Sequence, residues 1–239
     1  GGENVETALR DSCNIFFYNC AKRLGITKMN EYASAFGLGQ KTGVEIAESA
    51  GTLAGPEERE AAGGVWQSGD TIQAGIGQSD NLFTPLQLSN YCATVANGGT
   101  RYQLHLVQSL IDNSSGTVTE TQPKIEESLD LHKSTLTAVK SGMRLVATQG
   151  APSLIFNQLR TEVAAKTGTS QVFVNGVKKN NGFLITFAPY DNPEISVASV
   201  VELAGSGTST AEITSSIIKY WYQNNTDEKT NQKTGALLN

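Results

Sequence analysis

Two short patterns in the 239 residues could do chemistry. Lys-Thr-Gly occurs three times, at Lys41, Lys166 and Lys233, so the tripeptide alone decides nothing. Lys233 stands in a polar stretch and Lys41 in a Gly-rich one. Lys166 follows the β-prone run 161–165 and precedes Thr169-Ser170, which places this copy on a sheet edge. An edge strand offers unpaired backbone groups to an extended peptide. Here Lys166 adds positive charge, Thr167 and Thr169 add hydroxyls, and Gly168 lets a ligand come close to the backbone. Those are the parts needed to hold a peptide carboxylate.

The second pattern is Ser-x-Asn, present as Ser12-Cys13-Asn14 and as Ser79-Asp80-Asn81. Either can set a proton-relaying hydroxyl beside a carboxamide that fixes a substrate amide. The plainer reading of each is a helix N-cap or a turn, where Ser and Asn are favoured without any catalysis. Lys166, Thr167 and Thr169 likewise have a plainer reading, a solvated edge strand whose Lys guards against aggregation.

The elements that must position these residues can be read from periodicity. Asn4 caps a helix over 5–10, and a second apolar face starts at Ile15 and stops at Gly25. A short helix is expected over 29–36, and 37–64 reads as a long surface excursion. Thr84-Pro85-Leu86-Gln87 spells a capping box with Pro at N1, starting a helix that Gly98-Gly99 ends. A flanking hairpin turns at Asn113-Ser114-Ser115-Gly116. Leu136, Val139, Met143 and Val146 then recur at helical spacing. Strands are expected at 161–174, 182–188 and 194–203, joined by an Asn175-Gly176 turn and a turn over 189–193. A helix over 208–223 closes the fold, and 224–239 reads as a polar, frayed tail. Helices, then consecutive antiparallel strands, then a last helix make the class α+β, an antiparallel sheet flanked by helices.

Composition narrows the function. Eighteen Lys and Arg against 23 Asp and Glu give a formal charge of −5, which offers no basic field to nucleic acid. No uninterrupted apolar run is long enough to span a bilayer, so membrane association is expected only through an upstream anchor. Cys13 and Cys20 lie about 10 Å apart by helical rise, too far for a disulfide, and are expected as small core residues. His105 and His132 have no ligand-spaced neighbours, so no structural metal is expected, and no cofactor is expected either.

Taken in order along nearly the whole chain, these segments resemble the transpeptidase domain of class B, high-molecular-weight penicillin-binding proteins, a β-lactamase/transpeptidase-like fold. The matching segments are Ala8 to Phe17 around Ser12-Cys13-Asn14; Phe36-Gly37-Leu38-Gly39-Gln40-Lys41-Thr42-Gly43; Gly75-Ile76-Gly77-Gln78 with Thr84-Pro85-Leu86-Gln87-Leu88; Ala165-Lys166-Thr167-Gly168-Thr169-Ser170; and Phe187-Ala188-Pro189. The resemblance implies an enzyme that cross-links peptidoglycan stem peptides through a serine acyl-enzyme, is inhibited by β-lactams, and works on the outer face of the bacterial cytoplasmic membrane. It implies catalytic roles for Ser12, Asn14 and Lys166, with Thr167, Gly168 and Thr169 binding substrate. Gln78 has no assigned role.

The family's nucleophile sits in a Ser-x-x-Lys motif upstream of Ser-x-Asn. No Ser precedes Ser12 here, and Ser216-Ile217-Ile218-Lys219 lies in the closing amphipathic helix, where it reads as coincidence. The expectation is a domain piece over 1–225 with a tail over 226–239, inactive alone and lacking its opening segment. Two other readings stay open. One is a serine β-lactamase-like hydrolase using Ser79-Asp80-Asn81, Lys166 and Glu126 as base. The other is a non-catalytic module that binds cell-wall peptide or a partner through the Lys166 edge.

Overall fold

The computed structural model describes residues 2–235, with side chains described up to residue 225. The chain begins with α1 (Val5–Arg10), α2 (Asn14–Leu24) and α3 (Ile26–Ala35), followed by α4 (Pro56–Ala61), α5 (Ser68–Ala74) and α6 (Pro85–Ala96). Two short ladders come next, formed by β1 (Thr100–Tyr102), β2 (Ser109–Ile111), β3 (Val118–Glu120) and β4 (Ile125–Ser128). Then come α7 (Lys133–Gln149), α8 (Ser153–Phe156), β5 (Ala164–Val174), β6 (Val177–Ala188) and β7 (Ile195–Val201). A 3₁₀ turn (Gly207–Thr210) leads into α9 (Ala211–Gly235).

The expected α+β segregation holds. β5, β6 and β7 form an antiparallel sheet in that order, so β5 is an edge strand. The β5–β6 register runs without a slip from Ala164↔Phe187 to Val174↔Val177. Its turn is Asn175-Gly176, with φ of 52° and 74°, the two positive values that a two-residue I′ turn requires. Because the strands pair right up to that turn, β6 starts five residues before the expected strand at 182.

Side chains of the sheet alternate between two cores. Val163, Ala165, Leu184 and Ala188 pack with α8 and with Ala211 and Ile218 of α9. Ala164 and Phe187 face the other way, onto Cys92, Val95 and Ala96 of α6. α7 serves both, with Met143 on the α6 side and Val146 and Ala147 on the α9 side. Fully buried Leu184, Phe187 and Ile218 each contribute roughly 1.5–3 kcal/mol. The central strand is thus fixed from both faces, and it holds β5 in register.

Several expectations need correction. Residues 37–64 do not simply run over the surface: Val44 and Ala54 are buried. The reason is Gln87, whose carboxamide closes the Thr84 capping box and also donates to the carbonyls of Gln40 and Ala50, at 2.6 and 2.7 Å. This one buried side chain pins the loop to α6. α4 and α5 are short helices without a clear apolar period. The flanking hairpin exists as the β2–β3 ladder, with β1–β4 as a second ladder beside it. The closing helix continues beyond residue 223, and residues 236–239 of the expected tail lie outside the described residues. Of the cysteines, all free, only Cys92 is a core residue; Cys20 is exposed because it lies on the outer side of α2.

Candidate active site

Ser12 occupies the link between α1 and α2. The N–H of Ser12 bonds the Leu9 carbonyl and that of Cys13 bonds the Ala8 carbonyl, the crossed pair of a Schellman turn. Such a turn needs a left-handed residue, and Ser12 supplies it at φ 49°. The plain N-cap reading fails, since Cys13 holds the N-cap position of α2 without a side-chain hydrogen bond. A serine accepts strain here where glycine would be relaxed. Asn14 is the first residue of α2, two positions on, and its side chain is exposed.

Lys166 arrives from the other end of the sequence. Its strand position, between Ala165 on the α9 side and Ile185 opposite it on β6, sends the side chain out on the α6 side. There its Nζ donates to the Ser12 hydroxyl at 2.6 Å, bridging 154 positions of sequence, and to the Thr167 carbonyl at 2.8 Å. Burial pushes the ammonium down from 10.5 to about 8. The arrangement is a hydroxyl facing an amine that can give or take a proton near neutral pH.

Thr167 and Thr169 leave the strand on the face opposite Lys166. A ligand touching all three must therefore sit at the open edge of β5. Three outward-facing carbonyls there have side-chain donors: Arg144 holds Val163 at 3.0 Å, Lys166 holds Thr167, and Gln78 holds Thr169 at 2.8 Å. By the same alternation the N–H groups of Thr167 and Thr169 also point outward. Gly168 pairs inward with Phe183. Beside this edge lies a cavity of about 610 Å³, with Ile26, Met29, Leu53 and Tyr91 among its walls and Lys166, Thr167 and Thr169 on one side.

Ser79 and Asn81 of the second Ser-x-Asn copy line the same cavity, but their side chains are tied to other partners. Arg59 of α4 reaches Asp80 at 2.5 Å and the Ser79 hydroxyl at 3.3 Å, while Asn81 accepts from the Ala54 N–H and donates to the carbonyls of Ala74 and Gln78. This copy braces a loop, and Lys166 meets Ser12 instead. Glu126 of β4 is paired at 2.7 Å with Lys124, and no hydrogen bond or ion pair links it to Ser79 or Lys166. At the first Lys-Thr-Gly, the N–H and hydroxyl of Thr42 and the N–H of Gly43 bind the Glu48 carboxylate at 2.8–3.0 Å. Burial would raise that carboxyl, but these bonds outweigh it and hold it below the usual range. The Ser216 hydroxyl bonds back to the Glu212 carbonyl within α9. Lys233 lies among the residues whose side chains are not described. Among the described residues no His, Cys, Asp and Glu cluster could hold a metal, and no helix is long and apolar enough to cross a membrane.

Gln78 is the site residue that the sequence did not assign. Its flanking Gly75 and Gly77 announce a turn, but its 91-residue reach to Thr169 has no local signature.

Residues 1–219 match the family described as Penicillin binding protein transpeptidase domain. The chain is 32% identical over 247 residues to the peptidoglycan D,D-transpeptidase MrdA of Escherichia coli, covering 95% of this chain and 38% of that protein. It is 32% identical over 230 residues to penicillin-binding protein 2A of Bacillus subtilis, covering 84% and 31%. Among solved structures, PBP2 of Pseudomonas aeruginosa in complex with WCK 5153 superposes with a TM-score of 0.78 at 28% identity, over 90% of this chain and 48% of that one. The chain therefore spans about a third of the length of these curated relatives. Its helix-flanked antiparallel sheet is the β-lactamase-like fold of those enzymes, and with the match running from residue 1 to 219, the chain belongs to the class B penicillin-binding protein transpeptidase family.

Proposed function

We propose that this chain is the part of a peptidoglycan D,D-transpeptidase that relays the proton and grips the stem peptide, while the nucleophilic Ser comes from a Ser-x-x-Lys segment outside the 239 residues. The observation that carries the reading is the 2.6 Å contact between Lys166 Nζ and Ser12 Oγ. In the intact enzyme the nucleophile attacks the carbonyl of the penultimate D-Ala, and the terminal D-Ala leaves as the amine. An amine of a second stem peptide then takes the acyl group. Ser12 hands a proton to the leaving nitrogen and is recharged through Lys166. Asn14 holds the stem-peptide amide.

Lys166, Thr167 and Thr169 bind the terminal carboxylate at the β5 edge, with Gly168 allowing close approach. The N–H of Thr169 supplies one donor of the oxyanion hole. The mainly apolar cavity beside Lys166 suits the segment that brings the Ser. β-Lactams compete because their carboxylate and strained amide imitate D-Ala-D-Ala. A substrate of this kind places the reaction on the outer face of the cytoplasmic membrane.

Labelled penicillin followed by intact-protein mass spectrometry tests the reading. The 239-residue chain alone forms no stable adduct, since Ser12 has no Lys three residues on and the Ser216 hydroxyl is bonded back within α9, whereas a longer protein carrying the upstream motif is acylated once. A stoichiometric adduct on the 239-residue chain overturns the assignment of the nucleophile.

A further inference from the structure

We propose that Gln78 is a built-in competitor for the substrate amide: its carboxamide holds the Thr169 carbonyl in the free protein, and a peptide bound along β5 displaces it. This rests on the reading of the β5 edge as the stem-peptide site.

Three side-chain donors cap carbonyls along this edge, those of Val163 just before β5 and of Thr167 and Thr169 within it, and they are not equivalent. Arg144 is charged and doubly anchored, to the Val163 carbonyl at 3.0 Å and to Glu162 at 2.6 Å. Lys166 is charged and tied to Ser12 as well as to Thr167. Gln78 is neutral and reaches Thr169 through Nε2 at 2.8 Å. A neutral bond at a half-open edge is the weakest of the three caps, since the other two donors are charged. It is the position at which an incoming amide N–H can exchange. A primary carboxamide donor also matches a peptide N–H in chemistry, so the exchange replaces like with like.

The loop around Gln78 is held, so the exchange needs only a side-chain rotation. Asn81 clamps the backbone carbonyls of Ala74 and Gln78, at 3.3 and 3.1 Å. Arg59 braces Asp80 and Ser79, and Leu82 pairs with Thr52 in an isolated bridge. With the backbone fixed from both sides, Gln78 can swing off Thr169 without moving the wall of the cavity. Next to the exchanged carbonyl, the N–H of Thr169 is ready for a ligand carbonyl. One step of antiparallel pairing is thereby opened per bound peptide.

The test uses the ¹⁵N-labelled 239-residue chain and the tripeptide diacetyl-Lys-D-Ala-D-Ala as the probe, with NMR titrations of the parent, Gln78→Ala, Gln78→Met and Lys166→Ala. Removing the competitor tightens tripeptide binding about 2- to 10-fold in both Gln78 variants. The Gln78 side-chain NH₂ signals of the parent shift as the tripeptide binds. Gln78→Met keeps the length of the side chain and controls for loosening of the loop. Unchanged or weaker binding in both Gln78 variants overturns the proposal, as do NH₂ signals that stay in place at saturation. If Lys166→Ala weakens binding while the Gln78 variants do not tighten it, only the role of Gln78 is wrong. If no variant binds, or binding ignores Lys166 as well, the reading of the β5 edge falls with it.

Discussion

Gly207 lies against the backbone of Gly168. A β-carbon at 207 would come within 2.4 Å of the carbonyl oxygens of both Gly168 and Phe183. Neither oxygen belongs to a side chain that could move aside. The 3₁₀ turn thereby supports β5 at the glycine that ends its Lys-Thr-Gly, from the face opposite the Ser12 contact.

Gly207→Ala therefore forces the turn away from the strand. Overpacking of this kind costs about 1–3 kcal/mol, which lowers Tm by roughly 2–12 °C for a chain of this size. Differential scanning fluorimetry checks the value. A melt that matches the parent would show that the turn is not seated on β5.

Ser12 separates strain from chemistry. Both Ser12→Ala and Ser12→Gly remove the hydroxyl that Lys166 holds, but glycine accepts φ 49° and alanine does not. The left-handed penalty on alanine, about 1–2 kcal/mol, less the roughly 0.4–1 kcal/mol of extra unfolded-state entropy of glycine, leaves Ser12→Gly more stable than Ser12→Ala by roughly 1 kcal/mol, read from urea melts. In the longer enzyme both variants lose transpeptidation to a similar degree. Equal stability of the two would mean that the left-handed turn is not formed.

Lys166 makes stability depend on pH in a set direction. Burial lowers its amine from 10.5 to about 8 in the folded chain. Below pH 8 both states carry the charge and the cost of burying it is fully present. Between about 8 and 10.5 the folded state sheds its proton first, so stability rises with pH across that window. Lys166→Met removes the rise, which urea melts from pH 7 to 10 would detect. Over the same range, affinity for a carboxylate-terminated peptide falls as the charge is lost.

Gln87 ties three backbone groups together from a buried position. Gln87→Leu leaves the Gln40 and Ala50 carbonyls and the Thr84 N–H without this partner, at a cost of roughly 2–4 kcal/mol. The loop before α4 should then become the first site of limited proteolysis. Cleavage that begins elsewhere would count against Gln87 as the pin.

What could be read in the sequence was local. Asn175-Gly176 specifies its own turn, Thr84 to Gln87 spells its own cap, and the β-prone run before Lys166 marks its strand, so each was placed from neighbouring residues. The arrangements that were missed depend on distant partners. The second bond of Gln87 goes to a carbonyl 47 residues away, and Gln78 finds its acceptor 91 residues on. Neither helix propensity nor alternation carries that information. Ser12 is intermediate: its type suggested a cap, but the chain uses it as a left-handed hinge, because the crossed hydrogen bonds at the end of α1 demand one.

The Glu48 carboxylate seated on Thr42 and Gly43 also bears on ligand counting. A carboxylate tethered five or six residues from its donors competes at an effective concentration on the order of millimolar. Peptide carboxylates well below that concentration do not displace it, so the first Lys-Thr-Gly is silent in a titration at submillimolar peptide, and saturation there should be reached at one ligand per chain.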